Sequence, residues 1–333
     1  MPDRIRTCAA VVIATAVVAL GACSGGSSGS GGGDNAPTKT VTIGVEVPLT
    51  AGLTEYGVGI RNAGQLAVDQ AKQANLLPGW DIRVVAVDDS SDPEVGSRNA
   101  TKLIEDPSLV AVIGPANSGV AATVAPRFSE AGIAMISPAN TDPRLTRGAD
   151  PAAPKRQYAT YFRMVATEAE QGPFLARYAY EDAGFRTAAV VADPAEVNRV
   201  QAGAFRDAFV AAGGKVSFFE VLPTSGTVDR AIAGRVAAVD PDVVFYAGDY
   251  APAATLKRAL LDAGLTVPLM GGDGIEAPEY VAAVGAGDAS GDLASSVGSP
   301  LEQQPNGDIF VTAYDRADSG APPSNYGPYA YDA

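Results

Sequence analysis

The chain has 333 residues, a net charge of −14, no histidine and two cysteines, Cys8 and Cys23. Without histidine it lacks the commonest general base and metal ligand, any Ser-His-Asp triad, and any zinc centre built from Cys and His. The acidic balance and the lack of a basic patch argue against a nucleic-acid partner.

At the N-terminus, Arg4 and Arg6 precede an apolar run over residues 9–20, and small residues then lead to Cys23. This is the layout of a secretory signal, too short to span a bilayer, which takes ~20 apolar residues. A cysteine stands at the cleavage point, and Leu20-Gly21-Ala22-Cys23 resembles the lipobox of bacterial lipoproteins. The resemblance implies a signal peptide over 1–22, cleavage before Cys23 and diacylglycerol on its sulfur. Residues 24–37 (SGGSSGSGGGDNAP) are a flexible coil, with an r.m.s. span of roughly 20 Å. Residues 23–38 are thus expected to form a lipidated tether. Loss of Asp3, Arg4 and Arg6 with the leader leaves a net charge of −15, and Cys8 leaves too. No disulfide is expected in the mature body.

From residue 39 onward, β-rich runs alternate with helical patterns. Strands are expected at 40–47, 81–88, 110–113 and 133–137, with helices at 57–75, 92–106 and 118–131 between them. On the first helix Ile60, Ala63, Ala67, Ala71 and Ala74 share a face. A Pro- and Asp-rich loop follows over 138–156. The pattern then repeats, with strands at 161–165, 187–192, 215–222, 243–247 and 267–270 and helices at 167–183, 194–212, 228–239 and 251–263. A short helix starts at Pro278. Strand–helix alternation with near-continuous apolar strands predicts an α/β fold of parallel sheets covered on both faces. So long a body exceeds one core, and two closely packed Rossmann-like lobes are expected. Gly57, Gly59 and Gly64 do not form G-x-G-x-x-G, and there is no Walker A sequence, so a nucleotide site is not expected.

Ligands of open parallel sheets bind beyond the carboxyl ends of strands. Beyond residues 110–113 comes Gly114-Pro-Ala-Asn117-Ser118-Gly119, which opens a helix and offers N–H donors and a hydroxyl. Beyond 133–137 come Ala139, Asn140 and Thr141. Tyr56 follows the first strand, Tyr246 and Asp249-Tyr250 follow 243–245, and Asp273 lies between glycines after 267–270. Donors in the first lobe and a carboxylate with a phenol in the second complement a zwitterion. Taken singly, Ser118 also suits an N-cap, Asp273 a surface turn and Tyr246 a core position.

The series TIGVEVPLTAGLTEYG, VVAVDDSSDP, VAVIGPANSG, GIAMISPANTDPRLT, TEAEQGP, VVFYAGDY and LMGGDG resembles the branched-chain amino-acid binding proteins of ABC importers, with the type I periplasmic-binding fold. It implies two lobes joined by several hinge crossings, the first formed by 39–164 plus 298–333 and the second by 165–297. It implies Ser118, Ala139 and Thr141 at the ligand carboxylate, Tyr246 and Asp273 at the ammonium, and Tyr56 in the side-chain pocket. Val197 stands where relatives often carry a tyrosine against the ligand, which implies a smaller, more apolar wall. Ser91 and Asn117 occupy positions that some relatives join by a disulfide.

The function implied is a monomeric, lipid-anchored extracytoplasmic receptor. It delivers an apolar amino acid to an ABC permease by hinge closure, with no cofactor or metal and no covalent chemistry. The alternative is a sensor of the same fold for an amide, urea or aromatic acid. An enzyme is the third reading, disfavoured by the absence of a G-x-S-x-G elbow, a histidine and a free thiol. Pro328 suits the first turn of a helix, and Tyr329, Ala330 and Tyr331 continue it to Ala333 with no capping residue. With the resemblance, this implies that the chain continues past Ala333 and that the first lobe is truncated.

Overall fold

The computed structural model describes residues 39–150, 152–223, 228 and 230–333. The expected signal peptide, Cys23 and the expected tether lie outside the described residues.

Two five-stranded parallel sheets carry the fold. The first contains β1 (Lys39–Val47), β2 (Trp80–Asp88), β3 (Leu109–Ile113), β4 (Ala134–Ser137) and β5 (Tyr161–Arg163), in the order β2-β1-β3-β4-β5. Its helices are α1 (Thr54–Gln73), α2 (Pro93–Ile104), α3 (Ser118–Glu130) and the single turn α4 (Arg144–Arg147). The second contains β6 (Thr187–Ala192), β7 (Lys215–Val221), β8 (Val243–Ala247), β9 (Leu269–Gly271) and β10 (Leu293–Ala294), in the order β10-β9-β8-β6-β7. Its helices are α5 (Glu168–Arg177), α6 (Glu196–Ala211), α7 (Arg230–Ala237), α8 (Tyr250–Asp262) and α9 (Pro278–Val284). Last come α10 (Gly307–Arg316) and α11 (Gly327–Asp332).

The local chemistry explains the boundaries. Asp92 caps α2 by accepting from the N–H groups of Glu94 (2.7 Å) and Val95 (3.2 Å), with Pro93 at the first helical position. Thr167 and Glu170 form a capping box at the start of α5. Helix α1 begins three residues before the expected Gly57, at Thr54. The expected helix over 167–183 stays α-helical only to Arg177 and finishes as a π-turn, Tyr178–Asp182. The Pro/Asp-rich loop holds α4, which the sequence pattern did not signal.

Central strands β6, β8 and β9 are buried almost throughout, as continuous apolar runs require. Strand β2 is an edge and shows several exposed or half-exposed residues. Alternate residues of β8 serve two cores: Val244 and Tyr246 face one, and Val243, Phe245 and Ala247 the other. The chain passes from the first sheet to the second after β5 and returns after β10. The two crossings pair, with Ala166 N–H donating to the Val297 carbonyl at 3.0 Å. Helices α10 and α11 then pack back on α1, where Phe310, Tyr314 and Ala330 share a core with Ile60 and Ala63. Gly57 permits the entry into α1: a Cβ there would lie 1.8 Å from the Pro48 carbonyl oxygen.

Candidate ligand-binding cleft

The carboxyl ends of both sheets open onto one cleft of about 270 Å³. Six of the seven residues singled out in the sequence line it: Tyr56, Ser118, Ala139, Thr141, Val197 and Asp273. Tyr246 does not. It is fully buried, and its hydroxyl donates to Asp193 Oδ1 at 2.5 Å.

The first-sheet wall is built by two loops locked together. Gly114 sits at φ 111°, and a Cβ there would lie 2.1 Å from the Glu46 carbonyl oxygen, so the chain leaves β3 along a path open to glycine. Asn117 precedes α3 without capping it. The first-turn N–H groups have no intrahelical partner, and Ser118, Gly119 and Val120 border the cleft. The Ser118 hydroxyl accepts from the Asp142 N–H at 3.3 Å and keeps its own proton to donate. Ser137 Oγ donates to the Pro115 carbonyl (2.9 Å) and accepts from the N–H groups of Ala139 (3.2 Å) and Asn140 (2.9 Å). Asn140 Nδ2 donates to the Ala116 carbonyl at 2.8 Å. These bonds hold Ala139 and Thr141 beside the start of α3. The Thr141 hydroxyl is already engaged, donating to Glu168 Oε1 at 2.7 Å.

The opposite wall is acidic. Asp273 is buried rather than a surface turn residue. Its Oδ1 accepts from Gln171 Nε2 (2.8 Å) and its Oδ2 from the Tyr326 hydroxyl (2.5 Å), while its N–H donates to Gln171 Oε1 (3.2 Å). Glu168, at the first position of α5, is buried, and its Oε2 has no partner. Burial, and then the charge of Asp273, hold the Glu168 carboxyl well above the usual range. Burial also raises Asp273, against the hydrogen bonds from Tyr326 and Gln171. Neighbouring carboxyls in a dry site resist ionising together, and each of the two raises the cost of charging the other. Burial, then Asp193 and Asp273, push Asp249 up to about 7. Among the described residues that line the cleft there is no Lys or Arg.

Glu168, Gln171 and Tyr326 were not singled out from the sequence as site residues, and Asp249 was placed beyond its strand without a ligand role. The first two sit within the TEAEQGP motif, but a first-turn acid ordinarily reads as a solvated partner of the helix dipole. Tyr250, four residues beyond Tyr246, reaches across the lobes: its hydroxyl donates to Glu55 Oε2 at 2.9 Å, and its ring meets that of Tyr56 edge-on at 5.7 Å. The Tyr56 hydroxyl donates to the Gly274 carbonyl at 3.3 Å. Arg144, held by Asp142, lies 3.6 Å from Glu196 on the other lobe. The two lobes therefore touch across the cleft in this structure.

A larger cavity, about 550 Å³, lies beyond Tyr56 against Ile275, Pro278, Val281, Leu293 and Pro322. Its lining is mostly apolar, and it lacks the paired donor and acceptor walls of the cleft. Among the described residues no group of Cys, Asp and Glu could hold a metal ion, and no helix is long and apolar enough to cross a membrane.

Residues 40–333 match the family model described as periplasmic binding protein. The Leu/Ile/Val-binding protein BraC3 of Rhizobium johnstonii is 30% identical over 241 residues, covering 72% of this chain and 63% of that protein. The chain thus spans about two thirds of the length of the first curated relatives it matches, 63% and 66%. The isoleucine complex of the Streptococcus pneumoniae branched-chain amino acid transporter substrate-binding protein LivJ superposes with a TM-score of 0.78. It is 26% identical, covering 88% of this chain and 81% of that one. A benzoate complex of a solute-binding protein from R. palustris shares the fold, with a TM-score of 0.74 at 23% identity, covering 88% of this chain and 78% of that one. The matched model, the relatives and the two-lobed cleft agree: the chain belongs to the periplasmic binding protein family.

Proposed function

We propose that this protein is an extracytoplasmic receptor that binds an α-amino acid between its lobes and hands it to an ABC permease. The observation that carries the reading is the division of polar groups across the cleft. The α3 N-terminus and the Ser118 hydroxyl face the space from one lobe, and Asp273 with Glu168 faces it from the other. Oriented N–H groups suit a carboxylate. A carboxyl pair that resists carrying two charges suits an ammonium, whose charge favours the ionised form of both carboxyls, any proton passing to solvent, and which donates charge-assisted bonds to them. Val197 and Ala195 leave a small apolar stretch for part of a side chain. Leucine, isoleucine and valine, which the relatives' names give, are the reference ligands.

Closure supplies the signal. The Tyr56–Gly274, Tyr250–Glu55 and Arg144–Glu196 contacts run from one lobe to the other. A ligand touching both walls binds the closed form more tightly and shifts the population toward it. An aromatic acid fits less well, because its carboxylate can take the α3 wall but it brings no cation to the acidic wall opposite. No covalent step is assigned to the cleft. The sequence around Cys23 supports a lipid anchor that keeps the receptor at the outer face of the membrane, since two acyl chains anchor stably where one does not.

Isothermal calorimetry of the protein with leucine, isoleucine, valine and their deaminated keto acids tests the reading. The amino acids are expected to bind and the keto acids not to bind. Equal binding of both sets would remove the role given to the acidic wall.

A further inference from the structure

We propose that Asp249 selects a second nitrogen on the ligand, so that the cleft prefers an amino acid with a cationic side chain over an aliphatic one of the same length. This rests on the amino-acid reading above and specifies its side chain.

Asp249 occupies the N-cap position of α8, where an aspartate normally accepts from the helix's own first turn. Here its side chain makes no cap hydrogen bond. Its N–H donates to Asp193 Oδ2 at 3.3 Å, which fixes the backbone and leaves the carboxylate unused. That carboxylate is turned toward the cleft floor: a Cβ on Gly274 would stand 3.4 Å from Asp249 Oδ1, and both residues line the cleft. The neighbouring wall is also polar, with Asn198 and Gln201 beside Val197.

The charge count then decides the ligand class. Three carboxyls, Glu168, Asp249 and Asp273, surround one small space with no basic residue among its described lining. Glu168 and Asp273 are partnered by Thr141, Gln171 and Tyr326. One α-ammonium satisfies that pair. Asp249 accepts no side-chain hydrogen bond from the described residues, and an aliphatic ligand would seal it in without a partner. Burying an unpaired carboxylate is strongly unfavourable. A side-chain ammonium or guanidinium pairs it and supplies charge-assisted bonds. Its ordinary titration, already displaced toward neutral pH by burial, is drawn back down by that cation, so such binding releases a fraction of a proton near pH 7.

The test compares lysine, ornithine and arginine with norleucine, which has the lysine chain without its amine. The full chain is titrated by calorimetry at pH 7 in two buffers of different ionisation enthalpy. At least one cationic amino acid is expected to bind tenfold or more tightly than norleucine, with proton release. Asp249→Asn is expected to remove that preference and the proton release, weakening the cationic amino acid tenfold or more while norleucine, no longer sealing in an unpaired carboxylate, binds more tightly. Asp249→Ala serves the same purpose should the amide variant unfold. Norleucine or leucine binding as tightly as every cationic amino acid, or Asp249→Asn weakening both classes alike, overturns this inference and leaves the amino-acid reading standing. Binding of no amino acid overturns both.

Discussion

Glu46 makes the stability of this protein depend on pH in a direction opposite to that of most carboxylates. It sits in β1 with a fully buried side chain, and neither carboxyl oxygen has a hydrogen-bond partner. Beside it are Asp89 from the loop after β2 and Gly96 of α2; a Cβ on Gly96 would be 3.4 Å from Glu46 Oε1. Burial, and then Asp89, push the Glu46 carboxyl up to about 8 from an ordinary 4.5. Between those values the folded protein holds a proton that the unfolded chain has lost. Raising the pH through that window therefore favours unfolding, and the stability present below pH 4.5 is lost by pH 8. At ~1.4 kcal/mol per pH unit the loss is on the order of 4–5 kcal/mol. That is a large part of the ~5–15 kcal/mol that holds a typical domain. Burial raises Asp89 to about 6, which adds to the slope at the acidic end of the window. Glu46→Gln keeps the shape and removes the titration. Urea unfolding followed by circular dichroism at pH 5, 6, 7 and 8 should show the wild-type midpoint falling steadily and the variant's falling much less. Parallel curves for the two proteins would refute the reasoning.

Tyr246→Phe removes the donor to buried Asp193 and should cost about 1–3 kcal/mol of stability, with leucine affinity changed less than threefold by calorimetry. Asp273→Asn should weaken amino-acid binding by on the order of 2–5 kcal/mol, measured by the same titration. Gly57→Ala drives a Cβ into the Pro48 carbonyl and should lower stability by about 3 kcal/mol or more, read as a drop in the urea midpoint. Cys23→Ala should move the protein from the membrane pellet to the soluble fraction; retention in the pellet would rule out the lipid anchor.

The alternation of apolar runs and amphipathic segments established nine of the ten described strands and every described α-helix but α4 and α10, because a strand covered on two faces leaves a local signature; the two-residue β10 is too short to leave one. The cleft was legible in outline for a related reason. Residues just past a strand's carboxyl end lie outside the sheet faces, so Ser118, Thr141 and Asp273 could be placed by counting from strands. Tyr246 shows the limit of that counting. It is the fourth residue of β8, still within the strand, and the two-residue period commits its ring to a sheet face. Only beyond the strand do Asp249 and Tyr250 turn toward the other lobe.

What the tertiary structure alone decided is which polar groups meet. Gln171, Tyr326 and Asp273 converge from three distant stretches of chain, and no local pattern encodes that meeting. Glu168 reads locally as a solvated helix-start acid, and Glu46 as an interruption of an apolar strand. Whether either carboxyl keeps its proton depends on how much water the packed neighbours exclude, a property of the assembled lobes and not of the residues on either side.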